Sequence, residues 1–423
     1  MKVIEAVELN EIVVPIESVL NADGSFYINE SVRSYFDIDY RPSSPVLRLV
    51  AAGRIGLIPL NDSVCIDIKP KFSISNLAHI LSGSGSDLAA LDFFTRQYQE
   101  VADQSPSLFL FFLKSLDKGF QEVAEEGVYR AYKKRRSELS SIKGRVDTKN
   151  TLLRNWAKGN YAKVHVDFFD FTEDNPLNQL LKLALWVSIN KLITVKPNET
   201  ALRDSLIEHF DILDKVTLDL NATFLPVVNS MLSQQKIPVL RNYYINLCNL
   251  CKFIIDSVGI DLTSAYGNVS LLSHCIDMAE TFERYILNVI RSGVNEIDDS
   301  VVVEDGNNEG MKPFFLNRPT PVAKPDYIVK KDGLTRIIID SKYKLKLKEV
   351  DRYQILSHCL SYGADVAVLL SPCRDGKSPG LLYYGEVGSG STIKLYEYNF
   401  DLGAACLVSE EKALLKALST ITV

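Results

Sequence analysis

Two aspartates and a lysine, Asp326, Asp340 and Lys342, are the residues of this 423-residue chain whose types and spacing best suit chemistry. Asp332-Gly333 separates two β-prone runs and predicts a hairpin turn. Folding the chain about this turn brings Asp326 roughly opposite Asp340, at the ~5 Å separation of residues across an antiparallel pair. Asp340 and Lys342 are two residues apart on a strand, so they emerge from the same face. We therefore expect the three side chains to converge at the open end of one hairpin.

This arrangement suits metal-dependent hydrolysis of a phosphodiester. Two carboxylates can hold Mg²⁺, which polarises the scissile phosphate and lowers the pKa of a bound water. Lys342 would orient that water or stabilise charge that develops on the phosphate. The Ser341 carbonyl is placed to add a neutral oxygen ligand. Glu283, on a predicted helix over 278–290, is the candidate for a further carboxylate.

An ordinary structural interpretation of these residues must be weighed against the chemical one. Asp-Ser-Lys at the end of a strand is common turn chemistry, and an Asp-x-Lys sequence often occurs by chance. The combination of Pro325-Asp326, the Asp-Gly turn and the apolar run 337–339 before Asp340 favours a nuclease.

The composition is that of an ordinary globular protein, with 46% apolar and 24% charged residues, which excludes a disordered or collagen-like chain. Lys and Arg number 47 against 53 Asp and Glu, a net charge of −6, so contact with nucleic acid requires a local basic patch. The seven scattered cysteines indicate reduced thiols. The sequence shows no signal-peptide pattern and no apolar run of about 20 residues, which predicts a cytoplasmic protein without a membrane segment.

The pattern along the chain predicts a multidomain α+β protein with three domains. Residues 1–78 form a β-rich domain, with a small barrel or sandwich as the expected architecture. Residues 79–262 are mainly helical, with one strand at 164–171 and a flexible break at Ser82–Ser86. Residues 263–423 mix strands and helices, as in a sheet flanked by helices.

Two further motifs receive ordinary structural interpretations. Arg374–Ser378 ends in Gly-Lys-Ser, but it lacks the first glycine of a phosphate loop and the helix that should follow. We expect a hairpin loop there. Cys248 and Cys251 form a C-x-x-C without a second pair at zinc spacing, so we expect core thiols. The five dispersed histidines and the missing serine elbow give no support to a Ser/His triad.

Positive charge is concentrated in residues 130–158, where ten Lys or Arg minus two acids give +8 over 29 residues. The segment is either a solvated helix end and loop or a surface that faces DNA or an acidic partner. The alternating lysines 342, 344, 346 and 348 would place four charges on one edge if the strand continued, which suits a DNA backbone.

Pro325-Asp326 and Asp340-Ser341-Lys342 resemble the motif of the PD-(D/E)xK nuclease superfamily. The wider pattern resembles the McrC family, through blocks at 53–72, 126–147, 171–185, 281–290, 325–329, 340–344 and 351–365. The last block usually carries Gln-x-x-x-Tyr in this nuclease branch. Here Gln354 is present, and His358 occupies the tyrosine position.

The resemblance implies site residues and a fold for the C-terminal domain, residues 263–423, as a PD-(D/E)xK restriction-endonuclease-like domain. Asp326 and Asp340 would bind Mg²⁺, or Mn²⁺ as the alternative ion, with Glu283 and Ser341 in the metal site. The catalytic residues would be Asp326, Asp340, Lys342 and Gln354, and Lys344 would have a secondary role.

The resemblance also implies a function, that of the DNA endonuclease subunit of an McrBC-like type IV restriction system. Such a subunit cleaves modified double-stranded DNA and binds and stimulates a ring-forming AAA+ GTPase, an McrB-like partner. The regions 1–78 and 79–262 would then bind the partner. A stand-alone DNA-processing nuclease and a non-catalytic adaptor of an AAA+ motor are the alternatives.

Overall fold

The computed structural model describes residues 1–21, 23–40, 45–51, 53–85, 107–234, 242–258, 274–297, 300–344, 346–374, 376–388 and 392–421. The chain forms two compact units, of which the first comprises Met1–Phe112, Ser257–Gly259 and Leu271–Val423 and the second Leu113–Asp256 and Ile260–Ser270. The N-terminal and C-terminal regions, predicted as separate domains, thus lie in one unit. Among the described residues, no helix has the length and apolar character needed to cross a bilayer.

The N-terminal region is β-rich, as predicted. Along β4, buried and partly exposed residues alternate with the period of two that a half-buried strand requires. Three of the strands form one sheet, in the order β2-β4-β3. Strands β1, β6 and β5 form a second sheet, whose fourth strand comes from far along the sequence. The elements are β1 Lys2–Val7, β2 Glu11–Pro15, a turn of 3₁₀ helix at Ile16–Ser18, α1 Glu30–Arg33, β3 Phe36–Tyr40, β4 Val46–Ala51, β5 Arg54–Pro59, β6 Val64–Lys69 and α2 Ile74–Gly83.

The middle region is mainly helical and also contains a three-stranded sheet, of which the sequence predicted one strand. The elements are α3 Leu108–Glu126, β7 Ala131–Leu139, β8 Arg145–Val146, short helical segments at Thr148–Asn150, Thr151–Asn155 and Trp156–Lys158, β9 Val164–Thr172, α4 Pro176–Val195, α5 Thr200–Ile212, α6 Leu225–Ser233 and α7 Asn242–Val258. Helix α4 has a capped start, because the Asn175 side chain accepts a hydrogen bond from the Asn178 N–H and Pro176 lies in the first turn. Cys248 and Cys251 are buried, which confirms them as core thiols.

The C-terminal region mixes strands and helices around a six-stranded sheet. The elements are β10 His274–Asp277, α8 Met278–Ile297, β11 Val301–Asp305, β12 Lys312–Phe315, β13 Arg318–Ala323, β14 Tyr327–Lys331, β15 Leu334–Ser341, α9 Glu349–Tyr362, β16 Val366–Pro372, β17 Gly380–Val387, β18 Ile393–Phe400 and α10 Leu407–Ile421. The six strands have the order β11-β14-β15-β16-β18-β17, and β10 completes the N-terminal sheet by pairing with β5. That pairing explains why the two regions form one unit.

The centre of the six-stranded sheet is a crossover unit. Strands β15 and β16 are parallel, and α9 connects them. Ile328, Ile338 and Leu369 of the sheet form one buried cluster with Ile355 and Cys359 of α9. This packing fixes the end of β15 against the helix that follows it.

Two local predictions are wrong. The prediction of a hairpin around 374–378 is wrong, because the flanking strands β16 and β17 do not pair with each other and β18 lies between them. The predicted break at 82–86 falls partly within α2, and Ser86 lies outside the described residues. Gly83 permits close packing of α2 on α8, because a Cβ there would lie 2.7 Å from Cδ2 of the buried Tyr285 ring.

The end of β15 is held by a tyrosine from the Asp-Ser-Lys-Tyr sequence. The Tyr343 hydroxyl donates a hydrogen bond to Oε2 of Glu8, at 2.9 Å, in the turn between β1 and β2. The ring packs edge-on against Phe282, and a Cβ at Gly53 would meet it at 3.1 Å. The chain just after Lys342 is therefore anchored in the N-terminal sheet region.

Replacing Gly83 with alanine is expected to lower the free energy of unfolding by about 1–3 kcal/mol, because the added methyl overlaps a buried ring. Thermal and urea unfolding of the full chain measure the loss. The neighbouring Ser82→Ala variant is the control, expected to stay within about 0.5 kcal/mol of the wild type. Equal stability of the Gly83→Ala variant and the wild type would contradict the packing described.

Candidate functional site

The hairpin of β14 and β15 brings Asp326 to the end of β15. Asp332 and Gly333 have φ values of 53° and 76°, the left-handed pair that a two-residue hairpin turn requires, which confirms the predicted turn. Tyr327 pairs with Ile339, so the register continues toward Asp326 and Asp340. Oδ2 of Asp326 accepts hydrogen bonds from the Ser341 N–H and hydroxyl, at 2.7 and 2.9 Å.

Asp340 carries the most buried carboxylate of the site, with 0% exposure. Lys342 Nζ lies 2.6 Å from its Oδ2. Apart from this ion pair, neither oxygen has a hydrogen-bond partner among the described residues. Burial, and next the negative charge of Asp326, raise the pKa of Asp340 to about 7, against the opposing effect of Lys342. The site therefore holds more negative charge than its lysine balances.

Lys342 remains a cation in this setting. Its side chain is 17% exposed. Burial acts to lower the pKa of Lys342, but the charges of Asp340, Asp326 and Asp351 outweigh it, and the pKa is raised. The ammonium group is thus a fixed positive charge beside the two aspartates.

Glu283 reaches the same cluster from α8. Its Oε1 accepts a hydrogen bond from Asn307 Nδ2 at 2.9 Å, and its backbone carbonyl accepts one from the Tyr327 hydroxyl at 2.8 Å. Burial raises the pKa of Glu283 to about 7, and the charge of Asp326 adds to the effect. The third predicted carboxylate therefore lies within electrostatic range of the hairpin acids.

The donor set fits a hard divalent cation that keeps several waters. Within the described parts of the chain, no three His, Cys, Asp or Glu side chains are arranged to hold a metal by themselves. Mg²⁺ needs only one or two carboxylates, with waters and substrate phosphates as its other ligands. Oδ1 of Asp340, which has no partner among the described residues, and the neighbouring carboxylate of Asp326 match this requirement.

The other predicted site residues have different surroundings. Gln354 is exposed on α9, and in the described structure no hydrogen bond joins it to the acidic cluster. Lys344 pairs with Asp351 at 2.7 Å near the start of α9. Strand β15 ends at Ser341, so the continued strand on which four aligned lysines depended does not form. His358, which occupies the tyrosine position of the resembled motif, is buried on α9, within electrostatic range of Asp326 and Lys342.

The basic segment 130–158 spans the edge strand β7, strand β8 and the short helical segments that follow, in the second unit. Six of its ten cations pair with four acids of β9 and the turn after it, through the pairs Arg130–Glu173, Lys133–Asp174, Lys134–Asp167, Arg135–Asp170, Arg136–Asp167 and Lys143–Asp170. This internal pairing weakens the case for the segment as an unopposed DNA-binding surface.

Comparison with known proteins now adds to this geometry. A family described as "McrBC 5-methylcytosine restriction system component" matches residues 49–372. The chain belongs to this family. No curated protein matches the sequence.

Two solved structures resemble this McrBC-family chain. A chain of the "Refined half-complex from tetradecameric assembly of Thermococcus gammatolerans McrB AAA+ hexamers with bound McrC" has a TM-score of 0.65 at 17% identity, covering 99% of this chain and 100% of that one. A chain of the "Cryo-EM structure of the Thermococcus gammatolerans McrBC complex" has a TM-score of 0.44 at 15% identity, covering 68% and 87%. The first of these shows a shared fold over nearly the whole chain.

Replacing Glu283 with glutamine is expected to raise the melting temperature at pH 8 without divalent ions, by roughly 2–4 °C. A pKa raised from 4.5 to about 7 means that the folded state loses stability as pH rises through that interval. The amide keeps the acceptor for Asn307 and carries no charge, so the gain should vanish at pH 5, where Glu283 is protonated.

Thermal unfolding from pH 5 to pH 8 measures this profile. Glu280→Gln, at an exposed position one turn earlier on α8, is the matched control and should not reproduce it. A Glu283→Gln melting curve that follows the wild type at every pH would show that Glu283 is not crowded by the hairpin acids.

Proposed function

We propose that this chain is the Mg²⁺-dependent DNA endonuclease subunit of an McrBC-like type IV restriction system. The observation that carries the proposal is the buried Asp340 carboxylate, paired with Lys342 and crowded by Asp326. Membership of the McrBC family supports a restriction role, and the six-stranded sheet with its β15-α9-β16 crossover is consistent with a PD-(D/E)xK nuclease domain. Such a set of charges has no structural use, since burying it without a ligand is unfavourable.

Asp326 and Asp340 would hold the metal ion, with the Ser341 carbonyl as a neutral ligand and Glu283 as an additional carboxylate. Mg²⁺, or Mn²⁺ as the alternative, supplies the positive charge that polarises a scissile phosphate and acidifies a bound water. The Ser341 N–H and hydroxyl hold one oxygen of Asp326, which fixes the carboxylate orientation. The second oxygen of Asp326 is left available for the ion.

Lys342 would act on the substrate. Its ammonium group is held by Asp340 within the cluster and stays charged, so it is placed to stabilise the negative charge that develops on a phosphate. The hydrogen bond from Tyr343 to Glu8 limits the movement of the adjacent backbone. Lys342 is thereby positioned without reorganisation during the reaction.

The partner in this proposal is a ring-forming AAA+ GTPase. The structural relative from Thermococcus gammatolerans is described as McrC bound to McrB AAA+ hexamers, and it shares this fold. This sequence contains no phosphate loop, since 374–378 leads to the edge strand β17. We therefore assign nucleotide hydrolysis and recognition of modified DNA to the partner, and DNA cleavage to this chain.

Cleavage assays on methylated and unmethylated duplex DNA, with and without the partner and GTP, test the proposal. Metal-dependent cleavage of methylated DNA that requires partner and GTP is expected. Cleavage that is equally fast without a partner would instead indicate a stand-alone DNA-processing nuclease. Stimulation of the partner's GTPase without any DNA cleavage would indicate a non-catalytic adaptor.

Asp340→Asn is expected to abolish cleavage while the complex with the partner still forms. The amide keeps the shape of the side chain but cannot balance a metal ion or Lys342. Cleavage assays and size-exclusion chromatography of the complex measure the two properties. Asp365→Asn, an exposed carboxylate before β16, is the control and should cleave like the wild type. Retained Mg²⁺-dependent cleavage by Asp340→Asn would remove the site assignment.

Lys342→Met is expected to reduce the cleavage rate by about 10²–10³-fold, since it removes one charged group aimed at the transition state. Single-turnover cleavage with saturating partner and GTP gives the rate. A variant that loses DNA binding but cleaves at the normal rate once saturated would show that Lys342 only binds substrate.

A further inference from the structure

His358 lies on α9 with its side chain directed into the protein. Its exposure is 8%, and its neighbours on the helix, Ile355 and Cys359, belong to the core cluster between α9 and the sheet. The edge of the ring faces Phe314, at 6.5 Å between ring centroids. The imidazole is therefore largely removed from solvent.

Both ring nitrogens of His358 lack a hydrogen-bond partner among the described residues. Buried polar groups in proteins are nearly always hydrogen-bonded, and one that is not requires an explanation, such as a ligand that is absent. A neutral imidazole carries one donor and one acceptor, so two sites for a ligand are open.

The charges of Asp326 and Lys342 act on His358. Burial lowers the pKa of His358, Lys342 lowers it further, and the charge of Asp326 acts in the opposite direction. The ring thus lies within electrostatic range of a predicted metal ligand and of the predicted catalytic lysine. Gln354, one turn earlier on α9, is exposed to solvent, whereas His358 is buried.

A ligand at His358 lies in the electric field of a carboxylate and of an ammonium group. Mg²⁺ prefers oxygen ligands, which makes the ring nitrogens poor ligands for it. A phosphate oxygen that approaches Lys342 is an acceptor, and it meets the N–H of a neutral imidazole without the penalty of desolvating a second cation.

We propose that His358 is a catalytic residue that donates a hydrogen bond to a non-bridging oxygen of the DNA phosphate at the cleavage site. The inference rests on the proposed nuclease function and adds to it a substrate contact from α9. His358 and Lys342 would bind the same phosphate from two elements, the helix α9 and the end of β15. The buried imidazole is kept unpaired in the free protein because the substrate supplies its partner.

The test compares His358→Leu with His358→Asn in the full chain bound to its partner. Leucine fills the site without polar atoms, and asparagine retains an N–H donor. Ser361→Ala is the matched control, since it removes a hydrogen bond between α9 and the Phe314 carbonyl without touching the acidic cluster. Three properties are measured: the melting temperature, the single-turnover cleavage rate, and the affinity for duplex DNA with Ca²⁺ in place of Mg²⁺.

We expect His358→Leu to cleave about 10²-fold more slowly, since one donor to a charged reacting oxygen is lost. Its melting temperature should equal or exceed that of the wild type, because an unpaired buried polar group has been removed. His358→Asn should recover part of the rate, and Ser361→Ala should cleave at the wild-type rate. DNA affinity should fall several-fold in His358→Leu.

A lower melting temperature with normal cleavage in His358→Leu would overturn the proposal and indicate a histidine that is hydrogen-bonded to a bound water only. An equal loss of cleavage in Ser361→Ala would also overturn it, by showing that packing of α9 is what matters. Absence of any cleavage by the wild-type complex would defeat the nuclease function itself. The DNA affinities still decide the role of His358 in that case, and equal affinities would refute it.

Discussion

The Asp340 carboxylate is buried next to a second acid, and the organisation of the C-terminal region follows from this constraint. A carboxylate without water around it needs positive charge nearby, and Lys342 supplies only one unit. Asp326 and Glu283 bring further negative charge to the same place, which is why burial and repulsion raise the pKa of both Asp340 and Glu283 to about 7. The folded chain therefore takes up protons at these two carboxylates at higher pH than the unfolded chain does.

Three features combine to create this excess of negative charge. The turn at 332–333 sets the register of β14 and β15, the parallel pairing with β16 buries the end of β15, and α8 contributes Glu283. Each element is stabilised by interactions outside the site, such as the apolar cluster of Ile328, Ile338 and Ile355. Those contacts offset the unfavourable burial of charge, as expected where function and stability compete.

The sequence predicted what depends on local pattern. The Asp-Gly turn and the strands on each side of it have strong local signals, so the hairpin that carries Asp326 and Asp340 could be placed within a few residues. Strand β7 escaped prediction because its polar sequence, AYKKRRSEL, has no alternation of apolar residues, and its charges find partners on β9 that only the fold reveals. The Ser-Gly run near Gly83 resembled a linker because the Tyr285 ring that packs against it is distant in the sequence.

Some site residues could likewise be predicted from local spacing, and others depend on how the helices pack. Asp326, Asp340 and Lys342 follow from spacing along one hairpin, whereas the approach of Glu283 depends on how α8 packs. His358 differs from Gln354 only in burial, which no helical spacing of four residues can reveal. A resemblance to a family gave both positions, and the fold distinguishes the enclosed side chain from the exposed one.

The pairing of β10 with β5 has a consequence for how the chain matures on the ribosome. Strand β5 is synthesised more than 200 residues before its neighbour His274–Asp277. During that interval its unpaired edge exposes backbone N–H and C=O groups that can pair with strands of other chains. The middle unit is synthesised entirely within this interval. Newborn chains that stall before residue 274 should consequently be prone to aggregation, and chaperone demand should peak midway through translation.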